Sequence, residues 1–326
     1  MRVKLGDVCE RGTSNLKLSD VSEKNGEFSV FGASGYIGSV DFYQQGYPYV
    51  AVVKDGAGIG RAMLCPGKTS VIGTMQYLLP KDNILPKYLF YVVKYMNLEK
   101  YFTGATIPHI YFKDYKNEEF NFDFWERQVE IVSVLSKCEK VIDLCKQELQ
   151  LLDKLIKARF VELFGDPVSN SYGLPEATLP DLGEFGRGVS KHRPRNDIKL
   201  LGGKYPLIQT GDVANAGLYI TSYSSTYSEL GLKQSKMWDK GTLCITIAAN
   251  IAKTAILEFD ACFPDSVVGF IANERTNNIF VHYWFSFFQA ILESQAPESA
   301  QKNINLKILS ELKVIVPEKR KQDQFA

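Results

Sequence analysis

Histidine is scarce in this sequence: His109, His192 and His282 are the only three, and they are isolated from one another along the chain. Each reads as a surface or hydrogen-bonded histidine rather than a catalytic base. The six cysteines, Cys9, Cys65, Cys138, Cys145, Cys244 and Cys262, form no C-x-x-C pair, and no histidine stands at metal-ligand spacing from any of them. That excludes the common local zinc sites, and a disulfide framework is not expected in a chain this long. Catalytic signatures are missing too: no G-x-x-x-x-G-K-[ST], no H-E-x-x-H, no G-x-S-x-G, and no Asp/Asn-Pro-Pro-aromatic motif of the kind amino-methyltransferases use. Excess charge of one sign is absent, with 38 Lys and Arg against 37 Asp and Glu, so a nucleic-acid surface would have to be a local patch. The opening MRVKLGDVCERG holds no apolar signal core, and no apolar run approaches the roughly 20 residues that span a bilayer. These absences describe a cytoplasmic protein in a reducing compartment, with no membrane partner, no metal and no catalytic centre of its own.

What the sequence does contain is an internal repeat. At 326 residues there is room for two domains of about 150. Lys4-Leu5-Gly6-Asp7-Val8 matches Thr178-Leu179-Pro180-Asp181-Leu182, and each is soon followed by an expected glycine turn, Arg11-Gly12 and Arg187-Gly188. Gly58-Ile59-Gly60-Arg61 matches Asn250-Ile251-Ala252-Lys253, and Ile72-Gly73-Thr74 falls opposite Pro264-Asp265-Ser266. Ile110-Tyr111-Phe112 matches Ile304-Asn305-Leu306, and Gln128 matches Gln322. The offset drifts from 174 (178 less 4) through 192 (250 less 58) to 194 (322 less 128), as loop insertions between divergent copies require. Within the copies, Tyr47 to Lys54 and Leu243 to Ala248 read as buried strands, and Pro86 to Phe102 and Phe280 to Ser294 as helices following them. Phe31-Gly32-Ala33-Ser34-Gly35 marks a tight turn.

Between the copies the pattern predicts one helix from about Gln128 to Phe164, roughly 55 Å at 1.5 Å per residue. Ile131, Leu135, Cys138, Ile142, Cys145, Leu149, Leu152, Ile156 and Leu163 recur at alternating steps of four and three, broken only where Arg159 takes a seam position. Charged residues cover the remaining faces, Gly165 suits the residue after the helix, and Pro167 stops it. A seam of about four heptads is that of a coiled coil or subunit interface.

Two further stretches bear on chemistry. Asp55-Gly56-Ala57-Gly58-Ile59-Gly60 follows a strand, but its glycine spacing is not that of a dinucleotide fingerprint and Pro66 follows, so a tight turn between strands is the reading. The segment from Arg187 to Lys204 carries Arg187, Lys191, Arg193, Arg195, Lys199 and Lys204 against Asp197 alone. Gly, Ser and Pro interleave it, which predicts a basic loop able to neutralise phosphates or reach base edges. Lys253 lies in the register of Arg61. In the first copy Lys54, Arg61, Lys68 and Lys113 are the more scattered counterparts. These nine cations (Lys54, Arg61, Lys68, Lys113, Arg187, Lys191, Arg193, Arg195 and Lys253) are the candidate DNA contacts.

In this arrangement the chain resembles the specificity subunits of type I restriction-modification systems. Val30-Phe31-Gly32-Ala33-Ser34-Gly35-Tyr36-Ile37-Gly38 is similar to the family's glycine-rich segment early in a target-recognition domain, and Tyr205-Pro206-Leu207-Ile208-Gln209-Thr210-Gly211-Asp212-Val213 to that of a second. Trp125-Glu126-Arg127-Gln128-Val129-Glu130-Ile131 resembles the start of the family's central helix, and Leu163-Phe164-Gly165-Asp166-Pro167 its end. The resemblance covers nearly the whole chain. It implies a mixed α/β (α+β) fold with two target-recognition domains, each reading half of a split double-stranded DNA site through the major groove. It implies two long antiparallel helices that set the spacing, methyltransferase subunits docked on them, and a separate restriction subunit. S-adenosylmethionine, ATP and Mg are then expected on those partners and no cofactor on this chain.

The expected boundaries are a first recognition domain at 1–125, the helix at 126–166, a second recognition domain at 167–317, and the start of a second helix at 318–326. By the offset of 194, a full second helix would run well past Ala326, so the family's intramolecular coiled coil is not expected within this sequence. A second copy of the chain, antiparallel, or a helix of a methyltransferase subunit would then cover the seam. Two other readings stand beside the specificity subunit. One is the recognition subunit of a related split methyltransferase-nuclease; the other is a scaffold that keeps the helix and has lost DNA binding.

Overall fold

Tyr49–Val53 reads Tyr-Val-Ala-Val-Val, five residues with no charged side chain, and all five are buried. A strand covered on both faces has to be central to its layer. In the computed structural model it is, and the structure describes residues 1–22, 26–104, 107–295 and 304–326, with the backbone alone at 22 and 293–295. The chain folds as two units, Met1–Gln147 and Glu148–Ala326.

The first unit runs β1 (Arg2–Lys4), α1 (Leu5–Val8), β2 (Cys9–Thr13), α2 (Leu18–Ser22), β3 (Phe28–Gly32), β4 (Gly35–Val40), β5 (Tyr49–Val53), β6 (Ala62–Cys65), β7 (Ser70–Val71), β8 (Met75–Pro80), α3 (Pro86–Met96), α4 (Phe112–Tyr115), β9 (Glu119–Asn121) and the first part of α5 (Trp125–Phe164). One sheet has the order β2-β8-β5-β6, a second β4-β3-β7, and β1 pairs with β9. The core packs Leu5, Val8, Val50, Val52, Leu78, Leu89 and Val93 with Ile110 and Tyr115.

The second unit holds the rest of α5, then β10 (Glu176–Thr178), α6 (Leu179–Leu182), β11 (Gly183–Arg187), β12 (Leu201–Leu207), α7 (Thr210–Asn215), β13 (Tyr219–Ile220), β14 (Ser225–Tyr227), α8 (Glu229–Lys233), β15 (Met237–Trp238), β16 (Leu243–Thr246), β17 (Thr254–Leu257), β18 (Ala261–Cys262), β19 (Val267–Ala272), α9 (Asn278–Gln295), α10 (Leu306–Glu311), β20 (Lys313–Ile315) and α11 (Lys319–Phe325). Its larger sheet, β11-β19-β16-β17, repeats the first unit's order and adds β13; the smaller, β14-β12-β18, adds β15. The parallel contact between β3 and β7 recurs between β12 and β18. The two copies are one fold, as the repeat predicts.

Local signals in the repeat have matching structural causes. Asp7 accepts from the Lys4 amide at 3.1 Å and Asp181 from the Thr178 amide at 3.1 Å, so the same Asp caps the same short helix twice. Ile110 and Ile304 are both buried, donating their amides to Lys54 O at 2.9 Å and Ile247 O at 3.0 Å. The matched glutamines are fully buried. Gln128 Nε2 donates to Asn83 O at 3.0 Å and Asp123 O at 2.9 Å, while its Oε1 accepts from the Leu85 amide at 2.9 Å. Gln322 Nε2 donates to Arg275 O at 3.0 Å and Pro317 O at 2.8 Å, and its Oε1 accepts from the Thr276 hydroxyl at 2.9 Å.

Several expectations need correcting. Arg11-Gly12 is not a turn: both residues lie inside β2, where Gly12 pairs with Tyr77. Gly183–Arg187 is the strand equivalent to Cys9–Thr13, so Arg187-Gly188 and Arg11-Gly12 are two residues out of register. Helix α3 stops at Met96, because Asn97 turns left-handed at φ 51° and a 3-10 turn, Leu98–Tyr101, follows. The glycine-rich segments match over β3 and the end of β12, then diverge: the first folds back as the β3–β4 hairpin, the second enters α7. The segment 187–204 is a loop only in its middle. Lys199 sits in a 3-10 turn, Ile198–Leu200, and Lys204 in β12, where it pairs with Glu229 at 3.3 Å.

Helix α5 has 40 residues. Its ends are covered by their own units: Ile131 and Val132 pack on the first core, Phe160 and Phe164 are buried in the second, and Ile156 and Leu163 are half-buried. Between them Leu135, Cys138, Ile142, Cys145, Leu149 and Leu152 are exposed. Phe160 stacks on Phe280 at 5.2 Å and draws the helix into the core beside the seam position of Arg159. A second exposed stripe, Val134, Val141, Leu144, Leu151 and Leu155, borders the seam. No helix among the described residues is long and apolar enough to cross a membrane.

His282 in α9 supports a pH prediction for the second unit. It bonds Thr254 Oγ1 through Nδ1 at 2.9 Å, and burial, only partly offset by the Thr254 backbone, pushes its pKa down to about 4 from 6.5. Below pH 6.5 the unfolded chain takes up a proton that the folded unit refuses. Stability therefore falls as pH drops from about 6.5 towards 4, by up to about 3 kcal/mol. Urea unfolding followed by Trp284 fluorescence at pH 7 and pH 4.5 measures the loss, and His282→Gln should flatten it.

Candidate nucleic-acid interface

In each unit the turn that leaves the central strand is closed by the same pair of backbone bonds. Val53 N donates to Arg61 O and Gly60 N to Val53 O, both at 2.9 Å; Thr246 N donates to Lys253 O and Ala252 N to Thr246 O, both at 2.9 Å. The glycine stretch is therefore a tight turn between antiparallel strands, as expected. Gly60 has φ 79°, and a Cβ there would lie 2.4 Å from Glu99 N, so only glycine fits. Ala249 and Ala252 hold positive φ, 63° and 57°, in the equivalent turn of the second unit. Backbone strain of this kind concentrates where loops do chemistry or binding.

Around the first turn, Asp55 accepts from Lys54 Nζ and pairs with His109 Nδ1 at 2.7 Å. Burial alone would raise the Asp55 pKa, but the bonds from Lys54 and His109 outweigh it and hold the carboxyl below its usual range. With a carboxylate as partner, Nδ1 is the nitrogen that carries the proton. His109 stacks on Tyr111 at 6.3 Å, and Lys113 Nζ lies 5.4 Å from the Tyr111 ring centre. Arg61 folds back on the turn, Nε donating to Gly58 O at 3.2 Å and Nη2 to Ala57 O at 3.4 Å. The structure thus gathers Lys54, Arg61 and Lys113 at one end of β5. Lys68 is not with them. It lies on the turn before β7, beside the bridge of Gln45 with Thr69, towards the opposite end of β5.

In the second unit Arg193 and Arg195 converge on one carboxylate. Arg193 Nη2 lies 3.3 Å from Asp265 Oδ2, and Arg195 Nη2 bonds Asp265 Oδ1. Arg193 Nη1 also donates to Ser190 O at 2.6 Å and His192 O at 2.9 Å, and His192 pairs with Asp197 at 3.1 Å. Arg187, Arg195 and Asp265 rim a cleft of about 220 Å³ floored by Ile247, Ala248 and Ile304. Ile247 and Ile304 are the equivalents of Lys54 and Ile110, so both cation clusters occupy the same end of the same fold. Lys191 is exposed on the loop above; its side chain has no partner among the described residues. Lys253 faces away, lining a cleft with His282 and Asp153.

Cations can be counted along the sequence, but the acids that organise them cannot be singled out there. Asp55 was legible only as part of the glycine turn, and Asp265 only as the register partner of Gly73. His109 and Tyr111 carry no sequence signal for a role beside Asp55; only folding places them there.

Comparison with known proteins adds an independent finding. A family model described as the type I restriction modification DNA specificity domain matches residues 1–154 and again 176–326. A putative type I restriction enzyme MjaX specificity subunit of Methanocaldococcus jannaschii is 22% identical over 285 residues, 82% of this chain and 67% of that protein. The type I restriction enzyme MjaIX specificity subunit of the same organism is 26% identical over 179 residues, 49% of this chain and 40% of its own length. Among solved structures, the S subunit of a type I restriction-modification system from M. genitalium shares the fold, with a TM-score of 0.61 at 17% identity over 100% of this chain and 87% of that one.

Proposed function

The chain belongs to the type I restriction-modification DNA specificity family, and from that premise we propose that it is the DNA-reading subunit of such a complex. Each unit contacts one half of a bipartite duplex site, and the chain contributes no catalytic step. One observation carries this reading: both units bring cations to the same end of the same fold, on loops at the end of a fully buried strand. Rigid strands hold the loops, and the loops vary between the copies, which suits two halves of a site with different sequences. The methyl donor, ATP and Mg belong to methyltransferase and restriction subunits in this reading, and the complex works in the cytoplasm.

Helix α5 is the assembly element. Its exposed seam fits a second copy running antiparallel, since Ile131, Leu135, Cys138 and Ile142 of one copy then face Ile156, Leu152, Leu149 and Cys145 of the other. That register also brings Glu139, hydrogen-bonded by Tyr91 at 2.6 Å, to Lys146 of the other copy. The exposed stripe of Leu144, Leu151 and Leu155 beside this seam suits a methyltransferase subunit.

The DNA reading is tested by binding at several salt concentrations. Replacing Lys191, Arg193 and Arg195 together with Ala should weaken binding at least tenfold, since each side chain withdrawn from a base edge is worth on the order of 1–3 kcal/mol. It should also flatten the log-log salt slope by roughly one unit for each phosphate no longer neutralised. Unchanged affinity with an unchanged slope would remove this loop from the interface.

A further inference from the structure

We propose that Arg195 and Asp265 together read a G·C base pair in the half-site of the second unit, Arg195 donating to guanine and Asp265 accepting from cytosine. The inference rests on the DNA-recognition reading above and assigns a base pair and its readers within it.

A carboxylate at the centre of a cation cluster is a poor phosphate clamp. It repels the backbone and cancels one of the two positive charges beside it. At a base edge the same carboxylate is useful. In the major groove guanine presents two acceptors, N7 and O6, and cytosine presents one donor, the N4 amino group. A guanidinium fork beside a carboxylate is the complement of that edge, two donors next to one acceptor.

The hydrogen bonds divide the labour. Arg193 is committed to structure, with Nη1 on Ser190 O and His192 O and Nη2 3.3 Å from Asp265. Arg195 spends only Nη2, on Asp265; its Nε and Nη1 have no partner among the described residues. Arg193 therefore fixes Asp265, and Asp265 orients Arg195 through one Nη2 hydrogen, leaving one two-donor edge of the fork, with the second Nη2 hydrogen in it, open to a base. A fork held before binding gives up less side-chain entropy when it meets the base. The carboxylate accepts at several lone pairs and can hold an arginine and an amino group together. Lys191, on the same loop with no acid beside it, is left for phosphate.

The test is to sequence duplexes selected from a randomised pool by the full chain co-expressed with its methyltransferase subunits. The wild type should select a motif with a fixed G·C pair in one half. Arg195→Ala and Asp265→Ala should both relax that same position, lowering its preference by roughly tenfold to a hundredfold, with the other half intact. Arg195→Lys keeps the charge, loses the fork, and should relax it partly. Lys191→Ala should weaken binding to all sequences and leave the motif unchanged. Trp238 and Trp284, buried in this unit, report by fluorescence that each variant is folded. If Arg195→Ala and Asp265→Ala are folded and leave the motif unchanged, or if the position they relax is an A·T pair in the wild type, the assignment falls while the DNA reading stands. If the wild type selects no motif, both fall.

Discussion

Gln128→Ala is expected to destabilise the first unit by about 2–6 kcal/mol, and Gln322→Ala the second by a similar amount. Both side chains are fully buried and use oxygen and nitrogen alike. Truncation at 128 unpairs the Leu85 amide and the Asn83 and Asp123 carbonyls; truncation at 322 unpairs the Thr276 hydroxyl and the Arg275 and Pro317 carbonyls. A buried group left without its partner costs about 1–3 kcal/mol, and two are stranded each time, the third lying on exposed Asn83 or Arg275 where water can replace the bond. Leucine restores volume but none of the bonds, so Gln128→Leu should recover less than half of the loss. The units are distinguishable in one experiment. With Trp125 replaced by Phe, Trp238 and Trp284 fluorescence follows the second during urea unfolding, and amide exchange in β5 and β8 follows the first. A loss below about 1 kcal/mol at either position would mean that the glutamine is incidental and that the repeat is held by its apolar core alone.

Ile142→Glu with Leu149→Glu should abolish pairing of helix α5 at micromolar concentration while leaving both units folded. The two residues are exposed, at 53% and 63%, so neither supports a core. In the antiparallel register each lies in a central layer, and two-fold symmetry places both changes twice in the pair. Burying about 500 Å² of apolar seam is worth roughly 12 kcal/mol before entropic costs. Introducing carboxylates there, each costing about 1–3 kcal/mol or more, should weaken the pair on the order of a thousandfold. Analytical ultracentrifugation of the wild type and the variant gives the answer. A wild type that stays monomeric, with the variant identical to it, would exclude a second copy as the occupant and leave a methyltransferase subunit on the seam.

The fold was legible wherever a local pattern repeats: the match of Lys4–Val8 with Thr178–Leu182 and of Gln128 with Gln322, the apolar strands, and the heptad steps from Ile131 onwards; that the matched segments are Asp-capped helices and the glutamines are buried, the structure added. Periodicity and register act along the chain, so the sequence states them directly. Where two rules met, local reading failed. Arg11-Gly12 suggested a turn because glycine permits one, but pairing with Leu78 and Tyr77 on β8 keeps the chain extended. At Arg159 and Phe160 the heptad pattern could not say which partner the helix prefers, and the aromatic core of the second unit decided it.

The candidate interface divides in the same way. Its cations could be counted in the sequence, but Lys54, Asp55 and His109 meet only because β5 and the segment before α4 are hydrogen-bonded, from the Ile110 amide to Lys54 O at 2.9 Å. Arg193 and Arg195 meet Asp265 from 72 and 70 residues away. The sequence alone determined the repeat, the long helix and the family, because these are carried by order and local spacing. Which cations share a carboxylate, and which are left free to face DNA, only the tertiary structure decided, because charge pairing depends on distance in space and is set by the sheet that brings distant loops to one end.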